Sequence, residues 1–244
     1  MRKSTVRRRR RIYLILFLCV SLPLSAVALA WLVTMPDVGK LKSSNPDTTA
    51  LIEARQHQAE RKGRPIGVQW TWVPLSRISP HLRHAVVVSE DASFFVHEGF
   101  DWEGIKDAAL YNIGKGEFKR GGSTITQQLA KNLYLSPERS IFRKAHEALI
   151  ARTLELRLSK ERILELYLNV AEWGNGVYGA EAAARHHFKK SARDLTPGEA
   201  AWLAAILPSP RRYDPLRKTS ALTKRHARIL RKMAQAPNRG QNRD

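Results

Sequence analysis

An uncharged apolar run near the N-terminus limits most strongly how this chain can fold. Residues 12–33 (IYLILFLCVSLPLSAVALAWLV) contain no charged side chain in 22 positions. With a helical rise of about 1.5 Å per residue the run would reach roughly 33 Å, enough to cross the hydrocarbon core of a bilayer. The sequence therefore predicts a single transmembrane helix over residues 12–33, and a globular domain must form from the residues after it.

The charges that flank this run predict its orientation. Residues 1–11 carry seven Arg or Lys side chains, whereas Lys40 and Lys42 are the nearest basic residues after the run. Because strongly basic flanks stay in the cytoplasm, the N-terminus is expected there and the remaining chain in the periplasm. A cleaved signal peptide is the alternative, since Ala28-Leu29-Ala30 fits a cleavage site. The run is, however, longer than a usual signal-peptide core.

The net charge indicates which kinds of molecule the protein could bind. A charge of +20 favours polyanions such as nucleic acid, anionic lipid or a phosphorylated substrate. A domain outside the cytoplasm does not meet nucleic acid, so membrane lipid and phosphorylated substrates remain. The one cysteine, Cys19, excludes an internal disulfide and a cysteine-based zinc cluster.

Composition divides the chain into five segments. Pro, Ser, Asn and Asp after the apolar run, followed by a polar stretch that could be helical, indicate a stalk. The stretch VQWTWVPL (68–75) alternates well enough for a short extended segment, and helix signals dominate from Ser79 onward. The predicted segments are 1–11 (basic cytoplasmic N-terminus), 12–33 (anchor), 34–67 (stalk or linker), 68–215 (mostly α-helical domain with one core) and 216–244 (basic tail).

Capping residues predict where the helices of this domain begin and end. Ser and Thr before Pro are typical of an N-cap followed by the first helical position. The predicted starts are Ser79 (ending near Glu90), Asp101 (ending at the Gly114–Gly116 break), Ser123, Ser136 (ending near Leu158), Ser159 and Thr196 (ending before Pro208). In the tail, Leu222, Ile229 and Met233 recur at helical spacing. This pattern indicates an amphipathic helix, either docked on the domain or touching anionic lipid head groups.

Two adjacent carboxylates end the first helix of the domain. In AVVVSEDASFFVHEGFD (85–101), Glu90 and Asp91 lie between an apolar run and an aromatic-rich turn. Partial burial beside aromatic rings would raise the proton affinity of a carboxylate towards working pH, as a general base requires. His97 has no second histidine at helical spacing, so a metal site is not indicated. A plain helix terminus is an equal alternative from this stretch alone.

A glycine turn and a polar helix follow in KRGGSTITQQLAKNL (119–133). Gly121-Gly122 permits a close ligand approach, and the free N–H groups at a helix start can hold an anion. The helix then offers hydroxyls, amides and one cation, which are groups that hold sugars and phosphates. An ordinary polar helix after a glycine turn is the simpler interpretation of this pattern alone.

A third signal is the row Arg139, Arg143 and Glu147, spaced i, i+4 and i+8 so that all three share one helix face. Such a row can be a solvated ion-pair stripe worth a few tenths of a kcal/mol per pair. It can equally pair a second catalytic carboxylate with guanidinium groups that bind phosphate.

Together these stretches resemble the peptidoglycan glycosyltransferases. The segments SEDASFFVHEGFD, GGSTITQQLAKNL, RKAHEALIA and KERILELYLN resemble four successive motifs of that family, and the match runs from about Asn45 to Pro215. The family includes the glycosyltransferase module of class A penicillin-binding proteins and the stand-alone monofunctional transglycosylases. No transpeptidase domain follows in this sequence, so it resembles the monofunctional form.

The resemblance implies a mostly α, lysozyme-like fold of two lobes behind a single transmembrane helix. It implies polymerisation of lipid II into β-1,4-linked glycan, with release of undecaprenyl diphosphate, at the bacterial inner membrane. The implied partners are lipid II, the growing glycan chain, the membrane, and other cell-wall synthesis or division proteins. Mg²⁺ or Mn²⁺ is expected by resemblance alone, although the sequence shows no ligand cluster for it, and no organic cofactor is expected.

The resemblance also assigns roles to residues of this chain. Glu90 is expected to be the base, and Glu147 the second acidic residue near the diphosphate. The expected substrate-binding residues are Ser123, Thr124, Gln127, Gln128, Lys131, Arg139 and Arg143, and the supporting residues are Asp91, Phe94, His97 and Gly99. Asn169 in the fourth motif is expected to be structural. A lytic, lysozyme-like enzyme and an inert membrane-tethered scaffold remain as alternatives.

Overall fold

A computed structural model of the chain describes residues 35–115, 122–138 and 140–236, together with residues 10, 12–23 and 25 near the N-terminus. The chain divides into two compact units, Met1–Asp37 and Val38–Asp244. In the first unit residues 12–23 are helical. Within the described residues no helix is both long and apolar enough to span a membrane. Residues 24 and 26–33 of the expected anchor lie outside the described residues.

The described residues of the second unit are mostly helical, as the sequence predicts. The α-helices are α1 (Ala50–Glu60), α2 (Pro80–Glu90), α3 (Trp102–Lys115), α4 (Ile125–Tyr134), α5 (Ile141–Arg157), α6 (Lys160–Val170), α7 (Ala180–Phe188), α8 (Pro197–Ile206) and α9 (Ser220–Gln235). Short 3-10 helices cover Val38–Lys42, Leu75–Arg77 and Ala192–Asp194. Three strands are β1 (Gln69–Trp70), β2 (Glu172–Gly174) and β3 (Val177–Tyr178).

Four of the predicted helix starts are confirmed by their caps. The Ser79 hydroxyl accepts a hydrogen bond from the backbone N–H of His81, and Pro80 opens α2. Asp101 accepts from the N–H of Gly104 at 2.8 Å at the start of α3. Ser159 caps α6, and Thr196 forms a reciprocal capping box with Glu199 at the start of α8. These caps satisfy N–H groups that a helix start would otherwise leave unpaired.

Two predicted helix starts are wrong. Helix α4 is capped by Thr124 rather than Ser123, because Gln127 completes a capping box with Thr124. Helix α5 begins at Ile141 rather than near Ser136, because the Ser140 hydroxyl accepts from the N–H of Arg143 at 3.0 Å. In both cases the N-cap is the residue whose hydroxyl accepts from the backbone N–H three positions later. At α4 the Gln127 side chain also bonds back to the N–H of Thr124.

A small sheet was only partly predicted. Strand β3 pairs parallel with β1 and antiparallel with β2, in the order β1-β3-β2. Strand β1 lies within the extended segment predicted at 68–75. Strands β2 and β3 are three and two residues long, too short to show alternation in the sequence.

The segment expected as a stalk lies within the second unit from Val38 onward. Leu41 and Ile52 are buried, and Arg162 donates to the backbone carbonyl of Leu41 at 2.7 Å. Arg55 on α1 pairs with Glu172 at 2.9 Å. The part of the expected stalk from Leu41 to Arg55 therefore packs on the rest of the unit, held by apolar burial and an ion pair between residues distant in sequence.

The helices pack in two groups that meet at the end of α2. Helix α2 packs against α8 and α9, while α4 packs against α1, α5 and α6. In the predicted amphipathic tail helix, Leu222 and Ile229 are buried, which confirms the interpretation that this helix docks on the domain. The last residue of α2, Glu90, thus lies where the two groups of helices come together.

Candidate active site

A cleft of about 540 Å³ opens at the C-terminal end of α2. Its lining comes from α2, α3, the turn before α4, α4 itself and α9. The charged and polar side chains that line it include Glu90, Asp91, Asp101, Asp107, Ser123, Thr124, Gln128, Arg225, Arg228 and Lys232. Two of the four acidic side chains in this lining are the Glu-Asp pair of the sequence, and the other two, Asp101 and Asp107, follow that pair along the chain.

Glu90 is half-buried and is held by neutral partners, a group that we call the base pocket (Glu90, Gln128 and Tyr167). Its carboxylate accepts a hydrogen bond from Nε2 of Gln128 at 3.0 Å. The hydroxyl of Tyr167, which is fully buried, donates to Oε1 of the same amide at 3.0 Å. Because an ionised carboxylate can only accept, the Gln128 amide turns its NH₂ group towards Glu90 and its oxygen towards Tyr167, whose hydroxyl then donates to that oxygen.

Burial tunes the acidity of this pocket. It raises the pKa of Glu90, while the hydrogen bond from Gln128 and the charges of Arg225 and Lys131 oppose that rise. Burial also raises the pKa of Tyr167 well above its ordinary value, and the nearby carboxylates add to the effect. A carboxylate with a raised pKa beside a permanent neutral donor is suited to take up a proton from a bound hydroxyl.

Asp91, next to Glu90, is bonded to groups from two neighbouring segments. Its buried carboxylate accepts from the backbone N–H of Ile125 at 2.9 Å and from Nε2 of His97 at 2.9 Å. The N–H of Gly99 donates to Nδ1 of His97 at 3.0 Å, so the ring proton must lie on Nε2 and point at Asp91. Asp91 therefore ties the end of α2 to the start of α4, which places Gln128 beside Glu90.

Phe94 and Gly99 complete the same support. Phe94 is fully buried, with its ring centroid 5.0 Å from that of Phe95 and 6.4 Å from that of His97. Gly99 adopts a φ of +93°, and its carbonyl accepts from the Thr124 hydroxyl at 2.8 Å. A β-carbon at Gly99 would come within 3.1 Å of the Glu155 side chain, so both backbone angle and space favour glycine here.

Glu147 lies among cations in a second group, the cation cluster (Glu147, Lys131, Arg143 and Lys144). Its buried carboxylate accepts from Nη1 of Arg143 at 2.9 Å and from Nζ of Lys144. Burial lowers the pKa of Lys131; Glu147 raises it, and the charges of Arg143 and Lys144 lower it. Three cations around one carboxylate leave excess positive charge, which suits an oxyanion such as a diphosphate.

The remaining substrate-binding candidates lie in different settings. Ser123 is exposed in the cleft and accepts from Nζ of Lys144 at 3.1 Å. Gln127 is buried, and its Oε1 accepts from the N–H of Thr124 at 3.1 Å. The side chains of Thr124 and Gln127 are thus engaged in capping α4, whereas Ser123 and Gln128 face the cleft. Arg139 lies outside the described residues.

Four basic residues at the site were not predicted from the sequence. Lys144 stands three residues before Glu147, a spacing that places the two on one helix face. Arg225, Arg228 and Lys232 line the cleft from α9, which was predicted only as a docked amphipathic helix. Their spacing of three and seven residues along one helix face was the available signal.

Asn169, which was expected to be structural, bonds the backbone of Val73. Its Oδ1 accepts from the N–H of Val73, and its Nδ2 donates to the carbonyl of Val73.

The side chains at the site do not fit a divalent cation. Among the described residues no group of three or more His, Cys, Asp or Glu side chains could hold a metal ion. Both carboxylate oxygens of Glu147 already accept from cations. The expectation of Mg²⁺ or Mn²⁺ stays a prediction, and no step of the reaction is derived through either ion.

The chain is similar to a known protein family and to several known proteins. The family model described as Transglycosylase matches residues 59–234. A biosynthetic peptidoglycan transglycosylase from Dechloromonas aromatica is 51% identical over 192 residues, which cover 79% of this chain and 83% of that protein. One from Alcanivorax borkumensis is 49% identical over 226 residues, covering 93% of this chain and 88% of that protein. One from Herminiimonas arsenicoxydans is 45% identical over 222 residues, 91% of this chain and 96% of that protein.

Proposed function

This chain belongs to the transglycosylase family, and from that membership we propose that it is a peptidoglycan glycosyltransferase that polymerises lipid II. The glycan strands would be β-1,4-linked, and undecaprenyl diphosphate would leave at each addition. The observation that carries this proposal is the base pocket, in which a carboxylate of raised pKa faces a cleft next to a cluster of cations.

The reaction requires a base on the attacking side of the anomeric carbon and charge stabilisation on the leaving side. A sugar 4-hydroxyl is too weak an acid to attack unaided, so its proton must pass to a base as the new C–O bond forms. The anomeric carbon loses its bond to the diphosphate in the same displacement, which inverts the α-linkage to β. The electron pair of the broken bond stays on the diphosphate, where fixed cations stabilise it.

The two groups of the site match these two tasks. In the proposal, Glu90 takes the proton of the acceptor hydroxyl, and Gln128 and Tyr167 hold the carboxylate in position. The cation cluster around Glu147 receives the charge that develops on the diphosphate. Glu147 keeps Arg143 and Lys144 in place for that purpose.

Exposed apolar side chains support contact with a membrane. On α3, Trp102 and Ile113 are 72% and 78% exposed, and at the start of α5 Ile141 is 87% exposed. A lipid-linked substrate must be taken from a bilayer, and such side chains favour burial in its interfacial region. The proposal therefore keeps residues 12–33 as an uncleaved single-pass anchor in the inner membrane, with the catalytic domain as a two-lobed, lysozyme-like fold in the periplasm.

The test is a polymerisation assay with the full chain in detergent, lipid II as substrate, and Glu90→Gln as the variant. The wild type should lengthen glycan and leave isolated sacculi intact, while Glu90→Gln should make no detectable polymer. Glu161→Gln, an exposed glutamate on α6, is the matched control and should polymerise normally. Cleavage of sacculi without polymerisation would replace the proposal with the lytic alternative, and full activity of Glu90→Gln would remove Glu90 as the base.

A further inference from the structure

Helix α9 contributes a row of cations to the cleft that contains Glu90. Arg225, Arg228 and Lys232 all line it, at positions three and seven residues apart on one helix face. Leu222 and Ile229 of the same helix are buried against the domain. The orientation of α9 is therefore fixed by its core contacts, and the basic row is held at the cleft by the same contacts.

Among the described residues no carboxylate is hydrogen-bonded to Arg225 or Arg228. Nη1 of Arg225 donates to the backbone carbonyl of Ala205 at 3.0 Å, and its guanidinium lies 5.5 Å from the ring centroid of Tyr213. Arg228 is exposed, and among the described residues no hydrogen bond or ion pair engages it. Lys232 donates to the carbonyl of Val88 at 3.0 Å. Positive charge is thus presented to the cleft: Arg225 lowers the pKa of Glu90 through its charge, and no acidic side chain among the described residues pairs with Arg228.

Of the acidic residues in the cleft lining, Glu90 is the one on which Arg225 acts, and the other three have no described ion pair with α9. Asp91 is engaged by His97 and by the N–H of Ile125. Asp101 accepts from the Ser93 hydroxyl at 2.6 Å and from the N–H of Gly104 at 2.8 Å. Asp107 is exposed on α3, and no ion pair within the described residues joins it to α9. Arg228, which has no acidic partner among the described residues, is therefore available to an anionic group that enters the cleft.

We propose that Arg228, flanked by Arg225 and Lys232, forms an anion-binding subsite for the substrate molecule whose hydroxyl is deprotonated by Glu90. The inference rests on the proposed function and deepens it. A base must face the acceptor, and the basic row lines the cleft of that base, whereas Glu147 and its cations are not part of the cleft lining. Lipid II carries two kinds of oxyanion that Arg228 could bind, its diphosphate and the carboxylates of its peptide.

A membrane surface would use the same helix differently. Anionic head groups would be attracted by every exposed cation of α9, including Lys224 and Arg231, which do not line the cleft. A subsite depends on the cleft-lining cations alone. Arg228 and Arg231 therefore form a matched pair, with the same residue type and the same helix but different positions relative to the cleft.

The experiment compares Arg228→Gln with Arg231→Gln in the full chain. In lipid II polymerisation, Arg228→Gln should raise KM about tenfold, as loss of one charge-assisted contact predicts, with kcat within about twofold of the wild type. Arg231→Gln should leave both constants unchanged. Equal KM values for the two variants would overturn the subsite.

Direct binding separates this inference from the proposed function. Lipid II in detergent micelles should bind Arg228→Gln about tenfold more weakly than Arg231→Gln. If the wild type binds lipid II but makes no polymer, the proposed function fails while the binding comparison still decides the subsite. Equal weakening of both variants on anionic vesicles, with unchanged affinity for lipid II, would assign α9 to the membrane and overturn the subsite.

Two modified substrates identify the anion. A lipid-linked disaccharide diphosphate without the peptide retains the diphosphate alone. If the tenfold difference between the variants persists with this molecule, Arg228 binds the diphosphate; if it disappears there but remains with intact lipid II, Arg228 binds a peptide carboxylate. Lipid II with amidated peptide carboxylates should give the same answer independently.

Discussion

The base pocket and the cation cluster each place a glutamate in partly or fully buried surroundings, yet they surround it with opposite kinds of partner. Glu90 is bonded to an amide that a buried tyrosine holds in place. Glu147 is bonded to an arginine and a lysine. Gln128 adds no charge beside the carboxylate of Glu90, whereas Arg143 and Lys144 place two positive charges beside that of Glu147. The two glutamates thus differ in their partners rather than in residue type, and the proposed base is the one bonded to a neutral group.

The largest effect should come from removing the acceptor itself. Glu90→Gln keeps the size of the side chain and an oxygen for Gln128, but it cannot take a proton at neutral pH. We expect kcat/KM to fall roughly 10³-fold, within the range that general bases contribute. The measurement is the initial rate of lipid II consumption. A fall no larger than that of Glu147→Gln would mean that the two glutamates do not differ in role.

Glu147→Gln should have the next largest effect, a loss of roughly 10²-fold in kcat, because Arg143 and Lys144 lose the anion that holds them. The pH profile gives a sharper signature. Glu147 raises the pKa of Lys131, so its removal should lower that pKa and move the alkaline limb of activity to lower pH. An alkaline limb that stays in place would contradict the link between Glu147 and Lys131.

Tyr167→Phe should have a smaller effect, a loss of roughly fivefold in kcat/KM, since one hydrogen bond to Gln128 is removed. The hydrogen bond from Gln128 lowers the pKa of Glu90, and a freely turning amide would give less of it. The acid limb of activity should therefore move to higher pH. Tyr178→Phe, at a buried tyrosine away from the cleft, is the control and should leave the acid limb unchanged.

The smallest effect concerns stability. A carboxyl whose pKa is raised on folding binds its proton more tightly in the native state, so the fold loses stability as pH rises from the ordinary value to the raised one. Glu90→Gln should therefore raise Tm at neutral pH, by up to about 4 °C in a domain of this size. The difference should vanish in acid, where both states of the wild type are protonated. A lower Tm for the variant at neutral pH would contradict the raised pKa.

Local features of the site were predictable because the evidence for them lies within a few residues. Ser79 and Pro80 mark the start of α2, and the mostly helical class follows from such caps and from helical periodicity. Glu90 and Asp91 were identifiable as a pair, and the resemblance of the surrounding motif separated their roles. Asp91 and His97 are bonded to each other, and the supporting role that the resemblance implies for both stays a prediction.

Contacts between distant segments could not be predicted in this way. Lys232 bonds Val88 across 144 positions of sequence, and Gln128 bonds Glu90 across 38. No local pattern records which face of α9 meets which end of α2, because that choice depends on how whole helices pack. The basic row of α9 was therefore visible only as net charge in a tail, and its place beside Glu90 required the fold.

The position of Glu90 as the last residue of α2 has an electrostatic consequence of its own. The carbonyl groups at the end of a helix sum to a partial negative charge, which favours cations and disfavours carboxylates there. The last turn of α2 contains no basic residue to offset it. An ionised Glu90 therefore faces the negative pole of its own helix, and uptake of a proton relieves that repulsion. In the proposed reaction the backbone dipole of α2 would thus favour proton uptake by Glu90, and Lys232 of α9, which donates to the Val88 carbonyl in the last turn of α2, would oppose it.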